Sequence, residues 1–486
     1  MGRLVLLVVF VLASCSETSG TGGGSGGGGS AGTGAAGTGG LPECSAPEEC
    51  PAPPYAGNCQ RATCVDGVCG AGRIREGEFC ATPECNVDYG ICNDGVCVAT
   101  PRDDGTACTK DLEQCTADVC LAGVCEHAVL EDQTPCDEEN VCTVMGACTE
   151  GECIATPLDD GTSCGDGAGA CEAGRCSATF ACTEAGIREA IALGGGPHTF
   201  ECDGPTTVVI AEGFAIDRDV ELDGEGQMTL DGVDLGGVSG TVFRVGRAIV
   251  TLRGFTVWRG AGGGDKSAGG TIENVGRLTL SDMTVSESRG WYAVLNGNEL
   301  VVMRSSIVEN PQATGVLAVG HKTTILSSTI AGNSVHDVLG VRPLAIFNST
   351  VGVLHAGEQT ELVSSTIARL EGRAEGVVVR GSVVKSCPPS PRSQRFVTSE
   401  GHNIEQSWDS CGFDQPTDQV NVTVDDLKLG PLQDNGGPTM THALGAGSVA
   451  IDVIPADMCE VDEDQRGEPR DSMCDVGAFE VQEGSL

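Results

Sequence analysis

Seven short segments between residues 252 and 383 repeat one pattern, and that pattern restricts the fold more than any other feature of the chain. Each carries Ser or Thr followed by Val or Ile: Thr256-Val257, Thr284-Val285, Ser306-Ile307, Thr329-Ile330, Thr350-Val351, Thr366-Ile367 and Ser382-Val383. Five residues before each Val or Ile stands an aliphatic residue: Leu252, Leu280, Val302, Ile325, Ile346, Leu362 and Val378. Successive units lie 28, 22, 23, 21, 16 and 16 residues apart. Short β-branched strands at this spacing, with Gly/Asn/Ser turns and no helical stretches between, predict a parallel β-helix. The rivals fit less well: sandwiches favour two-residue hairpin turns, and propeller blades are longer and carry aromatic signatures. Strands stacked about 4.8 Å apart place the seven aliphatic positions in one interior column, with the Ser/Thr neighbours outward. The two 16-residue steps are short for a full coil, so the alignment is expected to slip near Thr366. With aromatics only 3% of 486 residues, this core must be built from Val, Ile and Leu.

A second repeat precedes it. Cys69, Cys97, Cys125 and Cys153 each end a Gly-x-Cys unit, 28 residues apart, and each is followed eleven residues later by Cys80, Cys108, Cys136 or Cys164. Full repeats therefore hold four cysteines (Cys80/85/92/97, Cys108/115/120/125, Cys136/142/148/153), with a truncated last unit, Cys164/171/176. So few large apolar residues lie between them that disulfides must replace a core, each contributing about 2–4 kcal/mol. Four cysteines allow three pairings within a repeat, and the spacing does not choose among them. No metal site is expected here. Calcium at the Asp103-Asp104-Gly105-Thr106 and Asp159-Asp160-Gly161-Thr162 turns is the one cofactor to weigh, against plain solvation of acidic turns. Of the 27 cysteines, setting Cys15 aside leaves an even 26: twenty in the repeats, then Cys182 and Cys202, Cys387 and Cys411, Cys459 and Cys474 as local disulfide candidates. The block is similar to the Cys-rich repeats of surface proteins from myxobacteria and related Gram-negative bacteria, where such repeats serve as stalks.

The N-terminus reads as an address. Arg3 is followed by the apolar run Leu4 to Leu12, too short to span a bilayer and of the form of an export signal. Leu12-Ala13-Ser14-Cys15 resembles a bacterial lipobox, which implies acylation of Cys15, and Ser16 in place of Asp implies the outer membrane. Residues 16–40 are Gly/Ser/Thr-rich without apolar periodicity, a flexible tether with a reach of about 25–30 Å.

Two further motifs point to one family. Thr183 can cap a short helix through Ile187, Arg188, Ala190 and Ile191, placed to cover the open end of the β-helix. Cys182-Thr-Glu-Ala-Gly-Ile-Arg-Glu-Ala-Ile191 resembles the entry motif of secreted bacterial β-helix proteins, with Gly186 where a Leu-like residue is usual. Near the C-terminus, Leu429-Gly-Pro-Leu-Gln-Asp-Asn-Gly-Gly-Pro-Thr-Met-Thr-His442, Ser448-Val-Ala-Ile-Asp452, Asp464-Gln-Arg-Gly-Glu-Pro-Arg470 and Cys474-Asp-Val-Gly-Ala-Phe-Glu480 follow Gly401-His-Asn-Ile404. Together these resemble the choice-of-anchor Q domain family of bacterial surface proteins, which implies a right-handed parallel β-helix joined to this ending. Many members continue into a sorting segment; a chain held through Cys15 is expected not to need one. The expected organisation is a lipoprotein signal peptide (1–14), a lipidated Cys and linker (15–43), Cys-rich repeats (44–180), a β-helix with an N-terminal helical cap (181–386), and a choice-of-anchor Q-like region (387–486).

Function is constrained mainly by exclusion. A formal charge of −41 argues against nucleic acid as partner. Polysaccharide-cleaving β-helices need convergent carboxylates, or a basic residue with a metal, on one face. Asp217, Asp219, Asp223 and Asp231 are the acidic group to examine, with Trp258, Trp291, Tyr292 and Trp408 as sugar-stacking candidates and Gly320-His321-Lys322 as an isolated fragment. Asp464, Arg466, Arg470, Asp475 and Glu480 are expected to be paired buttresses closing the end of the β-helix. The expectation is a non-catalytic, lipid-anchored surface protein, facing outward or into the periplasm, with a membrane and an extracellular glycan or surface protein as partners. The alternative is a polysaccharide lyase or hydrolase.

Overall fold

The computed structural model describes residues 60–65, 68–73, 79–80, 85, 90–93, 96–108, 115–136, 142–233, 235, 240–260, 269–318, 320, 322–334, 336–340, 343–357, 359–372, 376–388, 397–406, 409–482 and 484. The chain divides into two compact units, Met1–Asp104 with Ala122–Val124, and Gly105–Leu121 with Cys125–Leu486. In the first, strands Gln60–Val65 and Val68–Arg73 form an antiparallel hairpin, and Phe79–Cys80, Gly90–Asn93 and Val96–Val98 a small antiparallel sheet.

The second unit begins with cysteine-linked hairpins. Cys108 bonds Cys125, and Cys136 bonds Cys153, so the first and fourth cysteines of a repeat close on each other. The second cysteine instead reaches into the following repeat: Cys115 bonds Cys148 and Cys142 bonds Cys171. Pairing confined to single repeats, as counted from the spacing, is therefore not what forms. The second cysteine of a repeat thus faces the following hairpin rather than the third cysteine of its own unit. Cys164–Cys176 completes the last unit. Its strand Arg175–Ala181 pairs antiparallel with Gly169–Glu172 and parallel with Gly195–Glu201, so the last hairpin leads directly into the parallel sheet.

From there the chain winds as a three-sided parallel β-helix. On the first side, Leu222, Leu252, Leu280, Val302, Ile325, Ile346, Leu362 and Val379 stack in register. The second side stacks Leu230, Val257, Val285, Ile307, Ile330, Val351, Ile367 and Val384. The third stacks Phe214, Phe243, Ile272, Val294, Val316, Val338, Leu354 and Leu370. All three columns are almost wholly buried and form one continuous core. Side-chain alternation along each strand sends their neighbours outward. Six of the seven aliphatic positions singled out from the sequence lie in the first column.

The seventh is shifted by one residue. Leu362 pairs with Val379 and Thr366 with Val383, so Val378 points outward and is half-buried while Val379 fills the core. Ser382 belongs to a different column, at the corner between the first and second sides. There Ser305 Oγ accepts the Met283 N–H, Ser328 that of Ser305, Ser349 that of Ser328, Ser365 that of Ser349, and Ser382 that of Ser365, at 3.0–3.2 Å. Each of these hydroxyls except that of Ser349, which gives 2.6 Å, donates at 2.7–2.9 Å to the carbonyl two residues earlier. This ladder satisfies backbone groups that a corner would otherwise bury unpaired. The residue two places before each pairing with the next coil, at Asp282, Arg304, Ser327, Asn348, Ser364 and Gly381, has a left-handed φ of 45–56° that turns the corner. The 16-residue coils are short because strand Thr350–Ala356 supplies both Val351 to the second side and Leu354 to the third, with no loop between.

Both ends of the core are covered. Helix Glu184–Leu193 is capped by Thr183, whose Oγ1 accepts the Gly186 N–H at 3.1 Å, and it buries Ile187, Ala190 and Ile191 against the first coils. Gly186 is required because a Cβ there would lie 2.1 Å from the Ala181 carbonyl oxygen. At the other end the Cys387–Cys411 disulfide and Phe413 are the last members of the core. Glu405 stands where the second column would continue, and its carboxylate accepts the Ser410 and Cys411 N–H groups at 2.8 and 3.0 Å.

Candidate functional site

The outward acidic group does not converge. Asp219 accepts the Ile249 N–H of the next coil at 2.7 Å, and Asp223 accepts the Glu225 N–H at 2.8 Å. Asp231 accepts the Val233 N–H at 3.0 Å and holds the Arg259 guanidinium. Asp217 lines a shallow cleft of about 300 Å³ with Arg188, Phe214 and Arg218 beside the capping helix. Both arginines there are engaged, Arg188 with Glu184 and Arg218 with the Ala192 carbonyl. Elsewhere, charges pair from coil to coil: Arg253 lies 3.6 and 3.5 Å from Asp223 and Asp282, Arg304 bonds Asp282, and Arg277 faces Glu299 at 3.4 Å. Partial burial works to raise the Asp282 carboxyl, but the Arg304 guanidinium and the Ser281 hydroxyl hold it below the ordinary range. The Arg259 guanidinium stacks 3.8 Å over Trp258, Trp291 is 59% exposed, and Tyr292 is half-buried. Trp408 and His321 lie outside the described residues, as does Cys15. Cys182 bonds Cys202 and Cys459 bonds Cys474.

The densest polar constellation is in the C-terminal segment, which folds back along the second side rather than closing the end of the β-helix. The cause lies in the outward Thr column. Thr329, Thr350 and Thr366 are buried, whereas Thr256, Thr284 and Ser306 before them remain partly exposed. Gln465 bridges the column, donating to Thr329 Oγ1 and accepting from Thr350 Oγ1, each at 2.7 Å, and the Ala478 N–H donates to Thr366 Oγ1 at 3.2 Å. Beyond Thr366 the column turns apolar, and Val383 packs with Ile404, Leu427, Leu444, Ile454 and Val476 in a second core. The segment thus acts as a clasp across four coils.

The five charged residues of its motifs hold the clasp together. Arg470 bonds Glu480 at 2.9 Å with both side chains almost fully buried, and also donates to Asn348 of the β-helix and to the Gly477 carbonyl. Asp464 accepts from Arg466 and from the Glu480 N–H, while Asp475 accepts the Asp452 and Val481 N–H groups. Arg466 stacks 3.8 Å over Phe479. Three carboxylates share two guanidiniums, and burial disfavours the excess charge. Burial, reinforced by the neighbouring Asp475 charge, pushes Glu480 up to about 7. Burial and the Asp452 charge push Asp475 up to about 6. Between the ordinary carboxylate range and these values the docked clasp holds protons that the unfolded chain releases. This stabilisation is complete below about pH 4 and is lost as pH rises through about 6–7. Hydrogen exchange over residues 464–481 is expected to show the clasp opening more readily at about pH 8 than at about pH 5, by on the order of 4 kcal/mol with Glu480 the larger contributor. Glu480→Gln should flatten that dependence.

Among the described residues, one group of side chains outside the disulfides brings metal-ligating atoms together: His336, His355 and Glu371, on the third side. The sequence offered a signal for it, since His355 and Glu371 are one 16-residue coil apart. No helix among the described residues is long and apolar enough to cross a membrane.

Comparison with known proteins adds little beyond this. No protein-family model matches the chain. No curated protein matches it. Among solved structures, the crystal structure of the pectate lyase Pel9A is similar with a TM-score of 0.42 at 12% identity, over 60% of this chain and 90% of that one.

Proposed function

We propose that this chain is a non-catalytic, lipid-anchored surface protein of the choice-of-anchor Q type. Acyl chains on Cys15 hold it to the outer membrane, and its β-helix is displayed for contact with an extracellular glycan or another surface protein. The observation that carries this reading is the use made of the outward charges. Among the described residues, Asp219, Asp223, Asp282, Arg253 and Arg304 each bind a neighbouring coil or their own turn, and the half-covered Arg259 holds the buried Asp231, so these outward charges are engaged with one another and with the coils. Such a surface suits extended ligands held by many weak contacts.

The test joins location to chemistry. Wild-type protein is expected in the membrane fraction and open to protease added to intact cells, while Cys15→Ala is expected in the soluble fraction. Incubation with a panel of acidic and neutral polysaccharides should show binding without new reducing or unsaturated ends. Turnover lost on replacing Asp217, Asp219 and Asp223 would overturn the non-catalytic reading in favour of a lyase or hydrolase.

A further inference from the structure

We propose that His336, His355 and Glu371 form a binding site for one divalent transition-metal ion of the zinc class on the third side of the β-helix. His355 and Glu371 are paired in register on adjacent strands, and because Leu354 and Leu370 beside them point into the core, both side chains project outward. His336 arrives from the turn before strand Val338–Gly340. Glu371 Oε2 lies 3.7 Å from His336 Nε2 and 3.8 Å from His355 Nδ1, and all three ligand atoms fall within 4.8 Å of one another. Tetrahedral zinc, with bonds of about 2.0–2.2 Å, holds such atoms roughly 3.3 Å apart. Closure therefore needs a small rotation of two half-buried imidazoles and no backbone change.

The surroundings hold the three groups in place. The turn carrying His336 is fixed by Asp337, which accepts the Asn333 N–H at 2.9 Å and side-chain amide at 2.7 Å, and the Val353 N–H at 2.6 Å. Arg369 Nε bonds Glu371 Oε1 at 2.6 Å, orienting the carboxylate with its other oxygen toward the imidazoles. An outer hydrogen bond of this kind is how protein sites commonly fix a metal-binding carboxylate. The donor set decides the class of ion. Two imidazoles and one carboxylate suit Zn²⁺, Ni²⁺ or Cu²⁺, whereas Ca²⁺ takes six to eight oxygens. Cys108 through Cys474 in this unit are disulfide-bonded, so their sulfurs do not compete. Three protein ligands leave a fourth position for water.

The experiment uses tag-free full-length protein, stripped with EDTA and dialysed, then titrated with Zn²⁺ by calorimetry, with bound metal counted by elemental analysis. One Zn²⁺ per chain with an affinity of about 1 μM or tighter is expected, with Co²⁺ giving a tetrahedral visible absorption band. His336→Ala, in a turn, and Glu371→Gln should each weaken Zn²⁺ at least about tenfold, with circular dichroism unchanged. Added Zn²⁺ should raise the melting temperature of the wild type and not that of His336→Ala. Absence of uptake by the wild-type chain, or affinity unchanged in both variants, would overturn the proposal.

Discussion

At about pH 8, where Glu480 is ionised, Arg470→Ala is expected to cost about 3–5 kcal/mol of clasp stability, because it leaves that carboxylate buried without its cation. The same change removes the bond to Asn348, through which the clasp grips the β-helix. Hydrogen exchange over residues 464–481 should accelerate, and limited proteolysis should cut within the clasp while the coils stay intact. The double change Arg470→Met with Glu480→Leu is expected within about 1–2 kcal/mol of wild type, since a matched apolar pair removes both charges together. Should Arg470→Ala leave exchange and proteolysis unaltered, the clasp is held by its apolar contacts and the Gln465 and Ala478 hydrogen bonds, and the Arg470–Glu480 pair adds nothing.

The second large effect concerns the first interior column. Leu362→Ala is expected to lower unfolding free energy by about 2–5 kcal/mol in urea titrations, and Val379→Ala by about 2. Val378→Ala, one residue away but facing outward, should stay within about 0.5 kcal/mol. Equal costs at Val378 and Val379 would contradict the register of strand Val377–Arg380 on Thr360–Val363. The contrast is sharp because in a strand a shift of one residue exchanges the two faces.

That register also marks the limit of what the sequence reveals. Six aliphatic positions were legible because each is five residues before a Val or Ile that also turns inward, at a constant place in the coil. Ser382 misled because two Ser-bearing columns run side by side: Ser305, Ser328, Ser349 and Ser365 build the corner ladder, while Ser306, Thr329, Thr350 and Thr366 face outward. A lone Ser at 382 fits either column, and the pairing of Thr366 with Val383 together with the Ser365 N–H bond to Ser382 decides. The helix cap was readable from Thr183 and the spacing of Ile187, Ala190 and Ile191 because those signals are local. The clasp was not. Its docking depends on Gln465 meeting Thr329 and Thr350 more than a hundred residues earlier in the chain, and no periodicity links such distant positions. The inter-repeat cysteine bonds were hidden for a related reason, since identical spacings make pairing within a repeat and between repeats look alike.

Those bonds change how the cysteine-linked segment answers a pull. Tension entering at Cys115 crosses to Cys148 through sulfur, and from Cys142 to Cys171 in the same way. Only the short stretches Cys142 to Cys148 and Cys171 to Cys182 can then be drawn straight, so the intervening hairpins release no slack. A single peptide-bond cut between Cys115 and Cys148 likewise leaves one molecule, because the severed ends stay joined across the sulfur bridge. Whatever hangs on this segment would stay attached after damage that parts an ordinary linker.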